Sequence, residues 1–184
     1  MNIIPTPIQD LFVIEPKMWT DPRGYFYESY SANAFANAGI NAVFVQDNQS
    51  FSQKGTLRGL HAQAPPFAQG KLVRVIQGAV LDVAVDIRKD SATYGQHFAI
   101  ELTGENHKQL WVPPGFLHGF LTLQDQTIFT YKVTNYYDKN SEIGVMWDDP
   151  TLNINWSGQL NKEELLLSDK DLLLSNFADF VSPF

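Results

Sequence analysis

Between residues 71 and 87 the chain reads KLVRVIQGAVLDVAVDI, two β-branched runs separated at Gln77-Gly78. Apolar side chains recur at every second position, which predicts a β-hairpin rather than a helix. Leu72, Arg74 and Ile76 fall on one face of the first strand, and Lys71, Val73 and Val75 on the other. Beyond the turn, Asp82, Ala84 and Asp86 share a face opposite Leu81, Val83, Val85 and Ile87. Charge on the inner side of a sheet is costly unless it is paired or wet, so these faces need partners or water. Shorter runs at 11–14, 25–30, 43–51, 97–102, 109–112, 119–123 and 127–133 also read as strands. Asp21-Pro22-Arg23-Gly24, Pro65-Pro66, Thr103-Gly104 and Asp149-Pro150 supply the turns between elements. Helix is scarce: a short one is expected at 32–38, stopped by Gly39, and a second at 168–177, with Ser168 as cap and Leu172, Leu173 and Leu174 as apolar cover. Many short strands at near-regular spacing predict an all-β sandwich or barrel. No repeat, low-complexity tract or linker interrupts the chain, so a single domain over residues 1–184 is expected.

Composition narrows the function. With 184 residues, 44% hydrophobic and 18% charged, the chain suits a globular core. The absence of cysteine excludes a disulfide framework, a thiolate nucleophile and a Cys-based metal site. The start of the sequence lacks the basic and apolar regions of a signal peptide, and no run approaches the ~18 apolar residues of a membrane span. A cytoplasmic protein is the expectation. The net charge of −7, without a cluster of Lys and Arg, argues against wrapping nucleic acid. A locally positive pocket for a small anion remains open, with Arg23, Arg58, Lys71 and Arg74 as its candidates.

Two stretches concentrate proton-transfer groups. Arg58-Gly59-Leu60-His61 is followed by Lys71, and Pro113-Pro114-Gly115-Phe116-Leu117-His118 by Tyr131. Two imidazoles, an ammonium, a guanidinium and a phenol can together remove a proton, return one and stabilise the intervening negative charge. Each has a plainer reading. His97 and His107 read as structural histidines, Lys71 could be a solvated edge charge, and Tyr131 could anchor the core through its hydroxyl.

These stretches resemble the cupin superfamily, a jelly-roll barrel with two metal-binding motifs. Gly55 through His61 fits the opening of the first motif, but Gln63 replaces its second His and no Glu follows before Gly78. Pro113, Gly115 and His118 fit the second, with Thr122 in place of Asn. Two of the usual four ligands are missing, so no metal is expected. The match then narrows. Residues 58–75 (RGLHAQAPPFAQGKLVRV), 109–119 (QLWVPPGFLHG), Tyr131-Lys132, Tyr136-Tyr137, Trp147-Asp148-Asp149-Pro150 and Leu167-Ser168-Asp169-Lys170-Asp171 occur in the order found in the dTDP-4-dehydrorhamnose 3,5-epimerase family, which the chain resembles over nearly its whole length.

The resemblance implies epimerisation at C3 and C5 of a 6-deoxy-4-keto-glucose carried on thymidine diphosphate, through an enolate and with no cofactor. His61 would be the base, oriented by Asp171, with Asp169 as the other candidate two residues away. Lys71 would hold the enolate oxygen, Tyr131 would return a proton to the opposite face, and His118 would form a polar wall beside the sugar. Arg23, Glu28, Gln46, Asn48 and Arg58 fall at positions that bind the nucleotide and diphosphate, as do Glu142 and Lys170, while Phe26 or Tyr136 could stack on the base. N-terminal elements of the family reach a neighbouring subunit's site, implying a homodimer. A surface pair flanking Asp21-Pro22 is the competing reading of Arg23 and Glu28.

Ala62 departs from the bulkier, often aromatic side chain of relatives, a change that could widen the site or matter little. The stretch 153–161 and the end of the tail are not distinctive. Two other functions stay open: inversion at C3 alone, and a non-catalytic cupin that holds a nucleotide sugar. Ketone-moving cousins lack the residue equivalent to Tyr131, which favours an epimerase. His61, Lys71 and Tyr131 together argue against mere binding, which needs neither base nor acid.

Overall fold

A computed structural model describes residues 1–156 and 162–184, so part of the stretch 153–161 lies outside the described residues. Among the described residues, thirteen strands run β1 (Asn2–Pro5), β2 (Phe12–Glu15), β3 (Met18–Asp21), β4 (Gly24–Tyr27), β5 (Gln46–Ser52), β6 (Leu57–Gln63), β7 (Lys71–Gln77), β8 (Ala79–Asp86), β9 (His97–Thr103), β10 (Gln109–Val112), β11 (Phe116–Thr122), β12 (Thr127–Val133) and β13 (Glu142–Gly144). Six form one sheet in the order β1-β2-β10-β7-β12-β5, and five form a second in the order β13-β6-β11-β8-β9. The fold is all-β, a cupin-type jelly roll whose two sheets face each other. Strands β3 and β4 make a separate ribbon.

Period-two patterning explains why the sheets pack. Val73 and Val75 from one sheet meet Val80 and Ala84 from the other in an interior cluster with Leu110, Phe116, Phe120 and Phe129. The opposite face of β8 is apolar too, because the C-terminal third of the chain covers it: Val83 and Val85 pack with Leu117, Val145, Trp147 and Trp156. On the other flank, Leu72 and Trp111 are covered by Phe35 of the α-helix Ala32–Asn37. Ser31 caps that helix by accepting from the Ala34 amide, and Gly39, at φ +83°, turns the chain away from it. Ala62 lies in the outer cluster, opposite Ile143, and does not shape the space between the sheets. Its small side chain therefore does not widen the interior.

Strands β1, β3 and β13 were not singled out by the pattern, and two further elements differ from expectation. The segment 168–177 holds no α-helix. Single 3-10 turns form at Asp171–Leu173 and Phe177–Asp179, with extended chain between them. Leu173 is 84% exposed while Asp171 is buried, so the three leucines do not provide one apolar face. Strand β6 is absent from the pattern-based reading because Gly59 breaks its alternation. Gly59 sits at φ +131°, and a Cβ there would come within 2.5 Å of Gly119 Cα on β11. The glycine is required by that close approach of the two strands.

Asp86 shows how the fold accommodates a fully buried carboxylate. It accepts from Arg88 Nε at 2.9 Å and Nη2 at 2.8 Å, and from the hydroxyls of Ser91 and Thr93, each at 2.6 Å. Burial alone would raise its pKa, but these donors outweigh it and hold the value at about 2. A lowered carboxyl pKa stabilises the fold fully above the unfolded value near ~4, and that contribution fades as pH falls through about 2. Replacing Asp86 with Asn should therefore cost on the order of 2 kcal/mol at neutral pH. Urea unfolding of the variant should lose the part of the acid dependence between pH 4 and 2 that the native protein shows; an unchanged pH profile would contradict this role.

Candidate active site

One end of the interior is polar and opens as a cleft of about 280 Å³. His61 on β6 and His118 on β11 enter it from the five-stranded sheet. Lys71 on β7 and Tyr131 on β12 enter it from the six-stranded sheet. His61 and His118 are cross-strand partners. Tyr131 pairs with Val73, two residues along from Lys71, so the phenol and ammonium project from adjacent strands on one face. The period-two pattern that builds the barrel thus aims four reactive groups inward from two facing walls.

Each histidine has a carboxylate. His61 Nε2 lies 2.7 Å from Asp171 Oδ1. Asp171 also accepts from Ser168 Oγ at 2.7 Å. Burial pushes the Asp171 pKa up, but His61 and Ser168 outweigh it and bring it below the usual range. Asp169, the alternative partner, is exposed. His118 Nε2 lies 3.0 Å from both oxygens of Asp82, which is wholly buried. Asp82 was not among the candidates drawn from sequence. Its face on β8, shared with Ala84 and Asp86, was legible, but its partner depends on strand register that the sequence does not state.

Lys71 has no ion-pair partner within 4.0 Å among the described residues. Burial draws its pKa down to about 8, against the opposing pull of the Asp82 and Glu142 charges, while Lys170 lowers it further. Burial also raises the pKa of Tyr131, with nearby Arg58 opposing. At neutral pH the lysine is thus a cation close to its titration point, and the tyrosine is firmly protonated.

The remaining candidates separate into groups. Arg58 and Lys170 line the same cleft. Glu142 sits at its edge, bonded to Lys170 and accepting from Tyr137 Oη at 3.0 Å. Gln46 donates to Asn48 at 2.8 Å on the face of β5 that, two residues on, carries Ser50 into the cleft. Tyr136 is 61% exposed beyond β12. Arg23, Phe26 and Glu28 are exposed on and just after the β3–β4 ribbon and do not reach this chain's cleft; Arg23 is bound to Asp21. Arg74 also lies outside it, on the outer face of β7, so of the four candidates for a positive patch Arg58 and Lys71 remain, joined there by Lys170. Gln63, at the position of a cupin metal ligand, is fully engaged otherwise. It donates to the carbonyls of Phe67 and Tyr136 and accepts from the Asp138 amide.

Chemically, the cleft offers a base with a carboxylate partner, a partly buried cation and a neutral phenol on facing walls. Proton removal on one face and return on the other, with negative charge held between, is what the arrangement can do.

Comparison with known proteins points the same way. Residues 5–179 match the family model described as dTDP-4-dehydrorhamnose 3,5-epimerase. A dTDP-4-dehydrorhamnose 3,5-epimerase from Shigella flexneri is 50% identical, with 97% of each chain covered. The crystal structure of the enzyme of that name from Elizabethkingia anophelis superposes with a TM-score of 0.93 at 44% identity, covering 97% of each chain. A dTDP-6-deoxy-D-glucose-3,5-epimerase from Legionella pneumophila, in complex with dTDP-4-keto-L-rhamnose, gives 0.89 at 49% identity, covering 95% of this chain and 92% of that one.

The surroundings of Lys71 make a pH prediction. Glu142 favours its charged form, so Glu142→Gln should move its pKa below about 8, whereas Lys170→Met should move it up. The pH dependence of Lys71 acylation, read by mass spectrometry, measures both shifts. Shifts in the same direction would refute this electrostatic balance.

Proposed function

We propose the chain's function from one premise: it belongs to the dTDP-4-dehydrorhamnose 3,5-epimerase family. It is an isomerase of a nucleotide sugar, epimerising dTDP-4-dehydro-6-deoxy-D-glucose at C3 and C5 to dTDP-4-dehydro-L-rhamnose. We read all 184 residues as one epimerase domain. The observation that carries the mechanism is the opposition of His61, paired with Asp171, to Lys71 and Tyr131 on the facing sheet.

The C4 ketone acidifies the protons on its two neighbouring carbons. Asp171 engages Nε2 of His61, leaving Nδ1 to take a proton from C3 or C5. The C–H electron pair moves into the ring and the ketone oxygen becomes an enolate, held by the Lys71 ammonium. Tyr131 then delivers its phenolic proton to the same carbon from the opposite wall, and that change of face is the inversion. Solvent restores the phenol and removes the proton from His61. Each carbon is treated in turn. Asp82 holds His118 as a fixed polar wall and keeps a negative charge near Lys71, which favours the ammonium.

Arg58 and Lys170 meet the diphosphate, with Glu142, Gln46 and Asn48 as further polar contacts and Tyr136 as a stacking surface for the base. Arg23, Phe26 and Glu28 serve the cleft of a second copy, making the working unit a homodimer. This explains why the ribbon leaves Phe26 71% and Trp19 49% exposed. We place the enzyme in the cytoplasm, supplying activated L-rhamnose or a related deoxysugar for polysaccharide assembly. Among the described residues no helix is long and apolar enough to cross a membrane.

NMR of the product tests the reaction: inversion at both C3 and C5 is expected, and inversion at C3 alone would contradict double epimerisation. His61→Ala should lower kcat by about 10²–10⁴-fold while dTDP binding persists. Activity within a few-fold of the native enzyme would remove His61 as the base.

A further inference from the structure

The ribbon β3–β4 has two unlike faces. Trp19 and Phe26, a cross-strand pair 5.9 Å apart, share one face, and both are exposed. Tyr25 and Tyr27 alternate onto the other face. Their rings lie 4.9 and 5.2 Å from the imidazole of His107, and 5.9 Å from each other. Tyr27 Oη also accepts from Arg74 Nη1 at 3.0 Å. Immediately past the ribbon, the Ser29 carbonyl accepts from Gln109 Nε2 at 2.8 Å, and Gln109 is itself buried. Two side chains of the barrel, His107 and Arg74, therefore grip one face of a two-stranded element that would be marginal on its own, and a third, Gln109, holds the chain just beyond it.

His107 is presented by a stiff turn. Its φ is +53°, an uncommon conformation for any residue but glycine, which persists only where neighbours fix it. Here the fixing is visible. Asn106 Oδ1 accepts from the amides of Thr103 and Lys108, Asn106 Nδ2 donates to the Glu101 carbonyl, and the His107 amide donates to Thr103 O. The turn thus fixes where the His107 side chain leaves the backbone, against the rings of Tyr25 and Tyr27.

We propose that His107 and Arg74 are positioning residues for nucleotide binding: they clamp Tyr25 and Tyr27 so that the ribbon presents Arg23, Phe26 and Glu28 at a fixed angle. This rests on the reading that the ribbon serves the thymidine diphosphate of a second copy's cleft. The clamp lowers the entropy the ribbon loses on gripping a ligand, so it acts on affinity and not on the proton-transfer step. It also gives Arg74 and His107, neither of which faces the cleft, a functional reason to be present.

The experiment measures KM and kcat for the keto sugar, with dimer mass by light scattering, in Arg23→Ala, His107→Ala, Tyr25→Ala, Tyr25→Phe and Tyr27→Phe. His107→Ala and Tyr25→Ala should raise KM about 5- to 20-fold, with kcat within about 2-fold and the dimer intact. Tyr25→Phe keeps the ring and should behave as the native enzyme. Tyr27→Phe loses only the bond to Arg74 and should show a smaller rise in KM. If Arg23→Ala raises KM but His107→Ala and Tyr25→Ala do not, the clamp is wrong and the ribbon reading stands. If Arg23→Ala leaves KM unchanged, the ribbon reading falls and the clamp with it. A fall in kcat together with loss of dimer in the clamp variants would mean a merely structural role and would overturn the proposal.

Discussion

A wholly buried carboxylate, Asp82, lets one end of this barrel carry charge. An ammonium and an imidazole brought between two apolar sheets would each pay a heavy desolvation cost, and an opposite charge nearby is what offsets it. Asp82 lies 3.0 Å from His118 and lends negative potential to Lys71. The compensation for Lys71 is incomplete, which leaves its pKa near 8 instead of above 10. That incompleteness is useful. A cation that is only partly neutralised by its surroundings gains most when an enolate forms beside it, so its stabilising effect is greater in the transition state than before.

The second His–carboxylate pair differs in kind. Asp82 is sealed beneath the site on a central strand, whereas Asp171 reaches His61 from a 3-10 turn of the C-terminal segment. That segment contributes little regular structure, yet it covers the outer sheet and supplies the base's partner. Packing and chemistry are thereby linked: the apolar contacts of Trp147, Trp156 and Phe177 hold down the chain that returns at Asp171. One wall of the cleft is thus completed by the end of the chain, and the other wall by strands formed near its middle.

Much of this was legible in the residues because it depends on period two. The alternation from Lys71 to Ile87 set Lys71 on one face with Val73 and Val75, and Asp82 on one face with Ala84 and Asp86, without saying what either meets. Strand register decides that, through the pairing of β8 with β11. Strand β6 was harder to see because Gly59 is kept for a close backbone approach, not for pattern. The leucines at 172–174 suggested a helix, but the single turn there is organised by polar bonds to Asp171. Arg74 looked like part of an anion site by composition, while its face of β7 points it at Tyr27 instead.

The central claim is that His61 and Tyr131, on facing walls, remove and return protons on opposite faces of one carbon. Its most direct measurement is solvent deuterium incorporation at C3 and C5, followed by NMR in the native enzyme and in Tyr131→Phe. The native enzyme should place deuterium at each inverted carbon. Tyr131→Phe should still exchange through His61 but yield little inverted product, because deuterium returns to the face it left. Inversion in the native enzyme without solvent deuterium, or full inversion by Tyr131→Phe, would contradict the two-wall mechanism.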